Sequence, residues 1–260
     1  MAKILRAIQP NAGVRAWYRK RLVKELDAMQ RSIAYWLESA YRRREDEIVG
    51  DASPARDLLA VFTANMKKWM RRWDILADWL GRRVITRIDD TTTTAMKEAF
   101  KAAGFSVKFD RTRNLNSVVE AYVSWNVGLI KSIGREYLED VRGIVMEGVG
   151  MGRDLAYISE QLGNRYNITK RRAKLIARDQ TDKATQAIQR VRDEKIGITE
   201  GIWMHLPGQK TSRETHKAMN GKRFKLNEGL YDSAVKRNVM PGELPLCRCC
   251  YRAVLPELGD

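Results

Sequence analysis

Both histidines and all three cysteines of this 260-residue chain fall in residues 201–260: His205, His216, Cys247, Cys249 and Cys250. Imidazole nitrogen and thiolate sulfur are the donors a structural zinc takes, about four of them in a tetrahedron. The spacing Cys247-Arg248-Cys249-Cys250 is not the usual Cys-x2-Cys knuckle, and no second knuckle exists. If residues 247–249 are extended, however, Cys247 and Cys249 share one face. That makes His216, Cys247 and Cys249 the candidate metal set, with His205 and Cys250 as further donors. The plainer expectation has His216 hydrogen-bonded in a small core, the cysteines packed as small apolar groups, and no cofactor.

Two catalytic arrangements compete with these. His216 with Asn220 four positions on, aided by Arg213, suggests a histidine-dependent nuclease centre, but no convergent set of Asp, Glu and His accompanies it. Cys249 or Cys250 beside His216 suggests a nucleophile whose pKa Arg248 and Arg252 would lower, but no orienting third group is evident. No catalytic residue is therefore expected. Arg213 and Arg248 fit better as staples, because a guanidinium fork satisfies several backbone carbonyls at once. Gly221 and Gly242, after Asn220 and Pro241, supply turn geometry. Three cysteines within four positions cannot build a disulfide framework, and point to synthesis in a reducing cytosol.

The elements that position these residues are mostly helices. Val14, Trp17, Tyr18, Leu22, Leu26, Met29, Ile33, Trp36, Leu37 and Tyr41 recur at steps of three and four, after a loose arm over residues 1–13. The opposite face carries Arg15, Arg19, Lys20, Arg21, Lys24 and Arg31, ending in Arg42-Arg43-Arg44; it is read first as solvated surface and second as a phosphate-binding face. Gly50 to Pro54 breaks the pattern, with Ser53 as a cap and Pro54 as the first helical residue. Leu58, Val61, Phe62, Met66, Trp69, Trp73, Leu76 and Leu80 form the next stripe, which puts Trp69 and Trp73 in a core rather than under stacked bases.

Thr91 to Thr94 is a poor helix former, so a separate helix is expected over residues 95–103, closed by Gly104. Phe105, Val107 and Phe109 then alternate as an extended segment. Ser117 to Glu120 has capping-box spacing and opens a third long helix, which ends in the glycines at 148, 150 and 152. Those glycines lack the Gly-Lys-Ser/Thr ending of a phosphate loop. A short helix over residues 153–163 and another from Thr169 to about Lys195, stopped by Gly197, complete the body. Beyond it, residues 201–206, 223–226 and 251–255 read as short strands, residues 213–219 as one or two helical turns, and Pro207-Gly208 and Asn220-Gly221 as turns.

With 48 basic against 32 acidic side chains, the formal net charge is +16, spread over several segments. That balance favours polyanionic partners, nucleic acid before an anionic membrane surface, and says nothing about base sequence. No apolar run reaches the roughly 18 residues of a spanning helix, and no signal peptide is seen.

The ordered set Trp203, Arg213-x-x-His216, Met219-x-Gly221-Lys222-x-Phe224, Pro241-Gly242 and Cys247-Arg248-Cys249 resembles the Mu-F-like family of tailed-phage minor head proteins. Ala177-Arg178-Asp179-Gln180-Thr181 and Gly197 are similar to the family's preceding helix, so the resemblance covers about residues 150–256. Two departures stand out: Pro207 to Ser212 lacks the acidic residue often found before the arginine, and Cys250 extends the pair to a triplet. The resemblance implies a non-enzymatic head-morphogenesis protein. It would act in the capsid interior or at the portal vertex after assembly in the host cytoplasm, with portal or major capsid protein and phage double-stranded DNA as partners. A metal-dependent nuclease, or another nucleic-acid-binding protein of a mobile element, is the alternative.

The expected architecture is mainly α with a small C-terminal α+β module: a helical region over residues 1–149 for docking or DNA contact, connecting helices over 150–200, and the Mu-F-like module over 201–260. Which residues would meet DNA is not legible.

Overall fold

The computed structural model describes residues 3–46, 54–151, 155–206 and 212–256, with side chains of 42–46 and 54–61 left aside. Gly50 to Ser53, Gly152, Pro207-Gly208 and the side chains of Arg42 to Arg44, Leu58 and Val61 lie outside the described residues. Four long helices come first: α1 (Ala12–Asp46), α2 (Pro54–Ala102), α3 (Arg113–Gly150) and α4 (Leu155–Lys195). They are followed by β1 (Glu200–Met204), α5 (Glu214–Ala218), β2 (Arg223–Lys225), β3 (Leu230–Asp232), β4 (Arg237–Val239) and β5 (Cys250–Val254). The chain is thus mainly α with a C-terminal module of short antiparallel strands, as its patterning predicts. No described helix is long and apolar enough to cross a membrane.

The helices run longer than expected because their weak points are locally compensated. Thr91, Thr93 and Thr94 sit inside α2, each hydroxyl donating back to a carbonyl of the preceding turn (Arg87, Asp89 and Asp90, at 2.8, 2.7 and 3.0 Å). That bond leaves each of these hydroxyls partnered inside the helix, while packing of the buried Ile88, Thr92 and Met96 on the same stretch holds the helix through the run. Thr169 does not cap a new helix but lies within α4, bonded back to Arg165 O at 3.1 Å. Similarly, Ser117 bonds back to Arg113 O, and the helix start falls earlier, where Thr112 Oγ1 accepts from the Leu115 amide at 3.1 Å. Gly104 and Gly197 end their helices in left-handed conformation, at φ +88° and +83°.

The described residues divide into two compact units. One comprises residues 17–81 and 125–176, and all the regular structure among its described residues is helix. Tyr18, Leu22, Leu26, Met29 and Ile33 of α1 are buried there, with Trp73 and Leu80 of α2, Ile130, Ile133 and Tyr137 of α3, and Ile158 and Leu162 of α4. The buried Tyr18 hydroxyl donates to Asn126 Oδ1 at 3.0 Å, and Trp73 Nε1 points at Met29 Sδ at 3.1 Å. Trp73 is therefore core; Trp69 is partly buried, donating to Ser32 Oγ at 3.0 Å, whereas Trp79 is about half exposed.

The other unit comprises residues 1–16, 82–124 and 177–260. Its sheet has the order β2-β1-β5, all antiparallel, beside the two-stranded β3-β4 hairpin. Residues 3–8 are not a loose arm. Ile4 bridges Val254, the Leu5 amide donates to Ala253 O, and the Leu255 amide donates to Lys3 O. Burial of Leu5 and Ile8 explains why the segment is held.

Helix interiors ordinarily gain about 1 kcal/mol when glycine becomes alanine. A Cβ at Gly134 would meet Trp73 Cγ at 2.5 Å, whereas one at Gly128 meets nothing within 4 Å. Gly134→Ala is expected to destabilise the protein by about 1–3 kcal/mol and Gly128→Ala to stabilise it by about 0.5–1 kcal/mol, read from urea unfolding midpoints.

Candidate functional site

The site is assembled around β1. Its register places Ile202 opposite both Arg223 and Arg252, and Met204 opposite Cys250. Trp203 is fully buried, and its backbone fixes the turn after α5: its amide donates to Lys222 O at 2.9 Å and its carbonyl accepts from the Gly221 amide at 2.8 Å. That pairing draws α5, and His216 with it, over the Trp203 side chain, where the two rings meet edge-on at 5.3 Å.

The cysteine loop is held from the other side by α4. Lys183 Nζ donates to Glu243 O at 2.7 Å and Leu244 O at 2.9 Å, and Asp179 Oδ1 accepts from the Leu246 amide. Leu246 itself has a left-handed backbone, φ +59°, so the clamp holds a conformation that an L-residue disfavours. Residues 247–249, which carry no regular secondary structure, then lead into β5.

Three buried donors converge here: His216, Cys247 and Cys249, whose ligand atoms lie within 4.8 Å of one another. His216 Nδ1 is 3.3 Å from Cys247 Sγ and 3.6 Å from Cys249 Sγ. On its far side Nε2 lies 3.1 Å from Oδ2 of the buried Asp232, whose Oδ1 accepts from the Ala234 amide at 2.9 Å. His205 Nδ1 reaches 3.6 Å from Cys249 Sγ at the half-buried rim.

The electrostatics follow from this packing. A hydrogen bond from Cys249 and another from His216 hold Cys247 down, to about 4, against the opposing effect of burial. The same bond, with burial, pushes the Cys249 thiol up. Burial disfavours the His216 cation, but the hydrogen bond to Cys247 and the negative charges of Cys247 and Asp232 together outweigh it, and the pKa rises. Burial likewise opposes ionisation of Asp232, yet the Ala234 amide and the imidazole lower its pKa, so it stays an acceptor for Nε2–H. A carboxylate on one imidazole nitrogen orients the other nitrogen as a donor atom for a ligand.

The remaining candidates are dispersed. Asn220 does not join His216; its Oδ1 accepts from the His205 amide at 2.9 Å. Arg213 donates to Pro245 O at 3.1 Å, a staple as expected. Among the described residues Arg248 Nε is buried with no hydrogen-bond partner, and its charge helps lower the pKa of Asp182 of α4 against the larger effect of burial. Cys250 is buried, and burial pushes its thiol up to about 12. Arg252 donates to Leu5 O at 3.3 Å. Gly221 and Gly242 both take positive φ. Phe224 stacks edge-on with Trp203 and Tyr251, each at 5.9 Å, and Pro241 is buried. Sequence reasoning missed Asp232 and Lys183, and named Asp179 only as part of the family-like run on α4. Asp232 rides on a hairpin of two three-residue strands, too short for a periodic signal.

Residues 139–252 match the family described as "Phage Mu protein F like protein", which bears out the resemblance read from the motif. A relative in Haemophilus influenzae (strain Rd), described as "Uncharacterized protein", is 24% identical over 265 residues, covering 98% of this chain and 56% of its own length. The chain thus spans little more than half the length of that relative. No solved structure matches.

The sheet is tied to α4 by a buried pair: Tyr251 donates to Asp193 Oδ2 at 2.7 Å, and Gln189 Nε2 does so at 3.2 Å. Burial nonetheless raises the Asp193 pKa to about 7, while Asp193 Oδ1 has no partner. The folded state therefore holds a proton that the unfolded chain releases near pH 4. The stability this provides is complete below about pH 4 and is lost as pH rises through about 7. Asp193→Asn is expected to flatten the decline in unfolding free energy between pH 5 and 7 by about 1 kcal/mol or more, measured by urea unfolding across that range.

Proposed function

We propose, from the premise that residues 139–252 are a Phage Mu protein F like region, that this protein is a minor structural component of a tailed-phage head. The observation that carries this reading is the family match, together with the packing of its motif into one module: Trp203, His216, Phe224, Cys247 and Cys249 are all buried in the same unit. In this reading residues 201–260 form the Mu-F-like module, residues 150–200 connect it, and residues 1–149 dock on portal or major capsid protein. The protein works in the capsid interior or at the portal vertex after assembly in the host cytoplasm. It contributes no catalysis.

Surface composition supports contact with both protein and DNA. Arg19, Lys20, Arg21, Lys24 and Arg31 of α1 are exposed, as are Lys67, Lys68, Arg71 and Arg72 of α2. Arg21 lies over the rings of Trp17 and Trp79 at 5.9 and 5.6 Å, and Arg72 over Trp69 at 4.7 Å. Rings that carry a cation in this way hold its charge in a fixed place at the surface. Exposed Tyr35, Ile75, Trp79 and Trp125 offer apolar area to a protein partner in the same helical unit.

Co-expression with the portal and major capsid genes of its own phage, followed by isolation of heads, tests the structural role. The protein is expected in the head fraction in few copies; its absence there overturns the reading. DNA contact is tested separately by filter binding to unrelated duplexes. Affinity is expected to be independent of base sequence and to fall by about a thousandfold or more between 50 and 200 mM salt, as counterion release at roughly six or more phosphates requires.

A further inference from the structure

The His–Cys cluster has the dimensions of a metal site. A tetrahedral zinc, with bonds of about 2.3 Å to sulfur and about 2.0–2.1 Å to nitrogen, sets its sulfur and nitrogen donors about 3.6 Å apart. The distances from His216 Nδ1 to Cys247 Sγ and Cys249 Sγ are 3.3 and 3.6 Å, and His205 Nδ1 stands 3.6 Å from Cys249 Sγ. All three members of the inner group are buried. We propose that His216, Cys247 and Cys249 bind one structural zinc ion, with His205, which touches Cys249 alone, moving in from the rim as the fourth ligand.

Three further features of the fold suit an ion at this point. Asp232 is fully buried and holds His216 by Nε2, leaving Nδ1 and its lone pair aimed at the two sulfurs. Metal-bound histidines generally donate their second nitrogen to a carboxylate in this way, which fixes the ring and strengthens the ligand. Charge within the ligand shell also balances: two thiolates neutralise a divalent cation, and binding releases the protons held by the free cluster to solvent. Finally, the ligands come from separate elements. His216 is on α5, Cys247 and Cys249 precede β5, and His205 follows β1. One ion would tie together segments that each have little regular structure of their own. Cys250 is not in the group: among the described residues His216, Cys247 and Cys249 bring their ligand atoms within 4.8 Å of one another, and Cys250 does not join them.

The proposal is independent of any role in a phage head, and its test uses the full chain purified without a metal-affinity step. Elemental analysis is expected to find about one zinc per chain in the native protein and in Cys250→Ser. Cys247→Ser and Cys249→Ser are expected to lose most of it. Since those variants can fail for want of folding, a second measurement uses the native chain, stripped by chelator and titrated with cobalt(II) alone. The expected result is a thiolate-to-cobalt charge-transfer band in the ultraviolet and the strong visible bands of a tetrahedral ion. Asp232→Asn is expected to weaken cobalt affinity about ten- to a hundredfold while leaving the helical circular dichroism unchanged. His205→Ala is expected to alter the shape of the visible bands; an unchanged spectrum removes His205 from the ligand set. A native protein with no zinc and no cobalt bands, its thiols being reduced, overturns the proposal. So does zinc retained at full stoichiometry by both Cys247→Ser and Cys249→Ser.

Discussion

Strand β1 is hydrogen-bonded along both edges, and nearly everything in the C-terminal module is located by that double pairing. Its five residues alternate in burial, so Gly201 and Trp203 face inward. A Cβ at Gly201 would meet Tyr251 Cδ2 at 2.8 Å and Phe224 Cε1 at 3.2 Å. The missing side chain lets the two flanking strands bring their aromatic rings together, and Trp203 completes the stack. A short strand with one face closed by aromatics has a strongly specified register, since a slip by one residue would send Trp203 to the other face. The same register sets where β5 begins, and hence where the two cysteines before it must stand.

The polar half of α4 is the second constraint. From Gln180 to Asp193 most positions are buried although few are apolar. Each buried polar group is costly unless partnered, and here the partners come from three distant segments. Asp182 pairs with Arg15, Gln186 donates to Ile8 O at 3.0 Å, Arg192 meets Asp89 at 2.7 Å, and Lys183 holds the loop before the cysteines. Some atoms of this network, such as Arg192 Nε and Gln189 Oε1, are left without a protein partner. A helix so connected acts as a template whose polar pattern selects one arrangement of the segments around it.

Periodicity made the helical body legible, because steps of three and four among apolar residues persist over many turns in α1 and α3. It failed at helix boundaries, where Thr91 to Thr94, Ser117 and Thr169 carry the composition of ends yet sit inside, their hydroxyls bonded back to the chain. In the module, Trp203, His216, Cys247 and Cys249 were visible as residue types, and their convergence was only conditional on an extended backbone at 247–249. Asp232 could not be anticipated: it lies sixteen residues past His216, and nothing about its neighbours marks a carboxylate that will be fully buried. Similarly, Asp179 and Lys183 look like surface charges on a basic helix until the loop they clamp is in place. Long-range polar pairing is specified by the tertiary fold, which local pattern does not encode.

The bridge between Ile4 and Val254 has a consequence for how the molecule is made. It joins segments at opposite ends of the described sequence, so the loop it closes is nearly as long as the chain, and the entropy of that closure must be met by contacts formed earlier. During synthesis residues 3–8 emerge long before β5, and their pairing edge has nothing to meet until β5 has left the ribosome. Throughout that interval Leu5 and Ile8 are apolar side chains waiting on an unpaired strand, the kind of element by which nascent chains recruit one another.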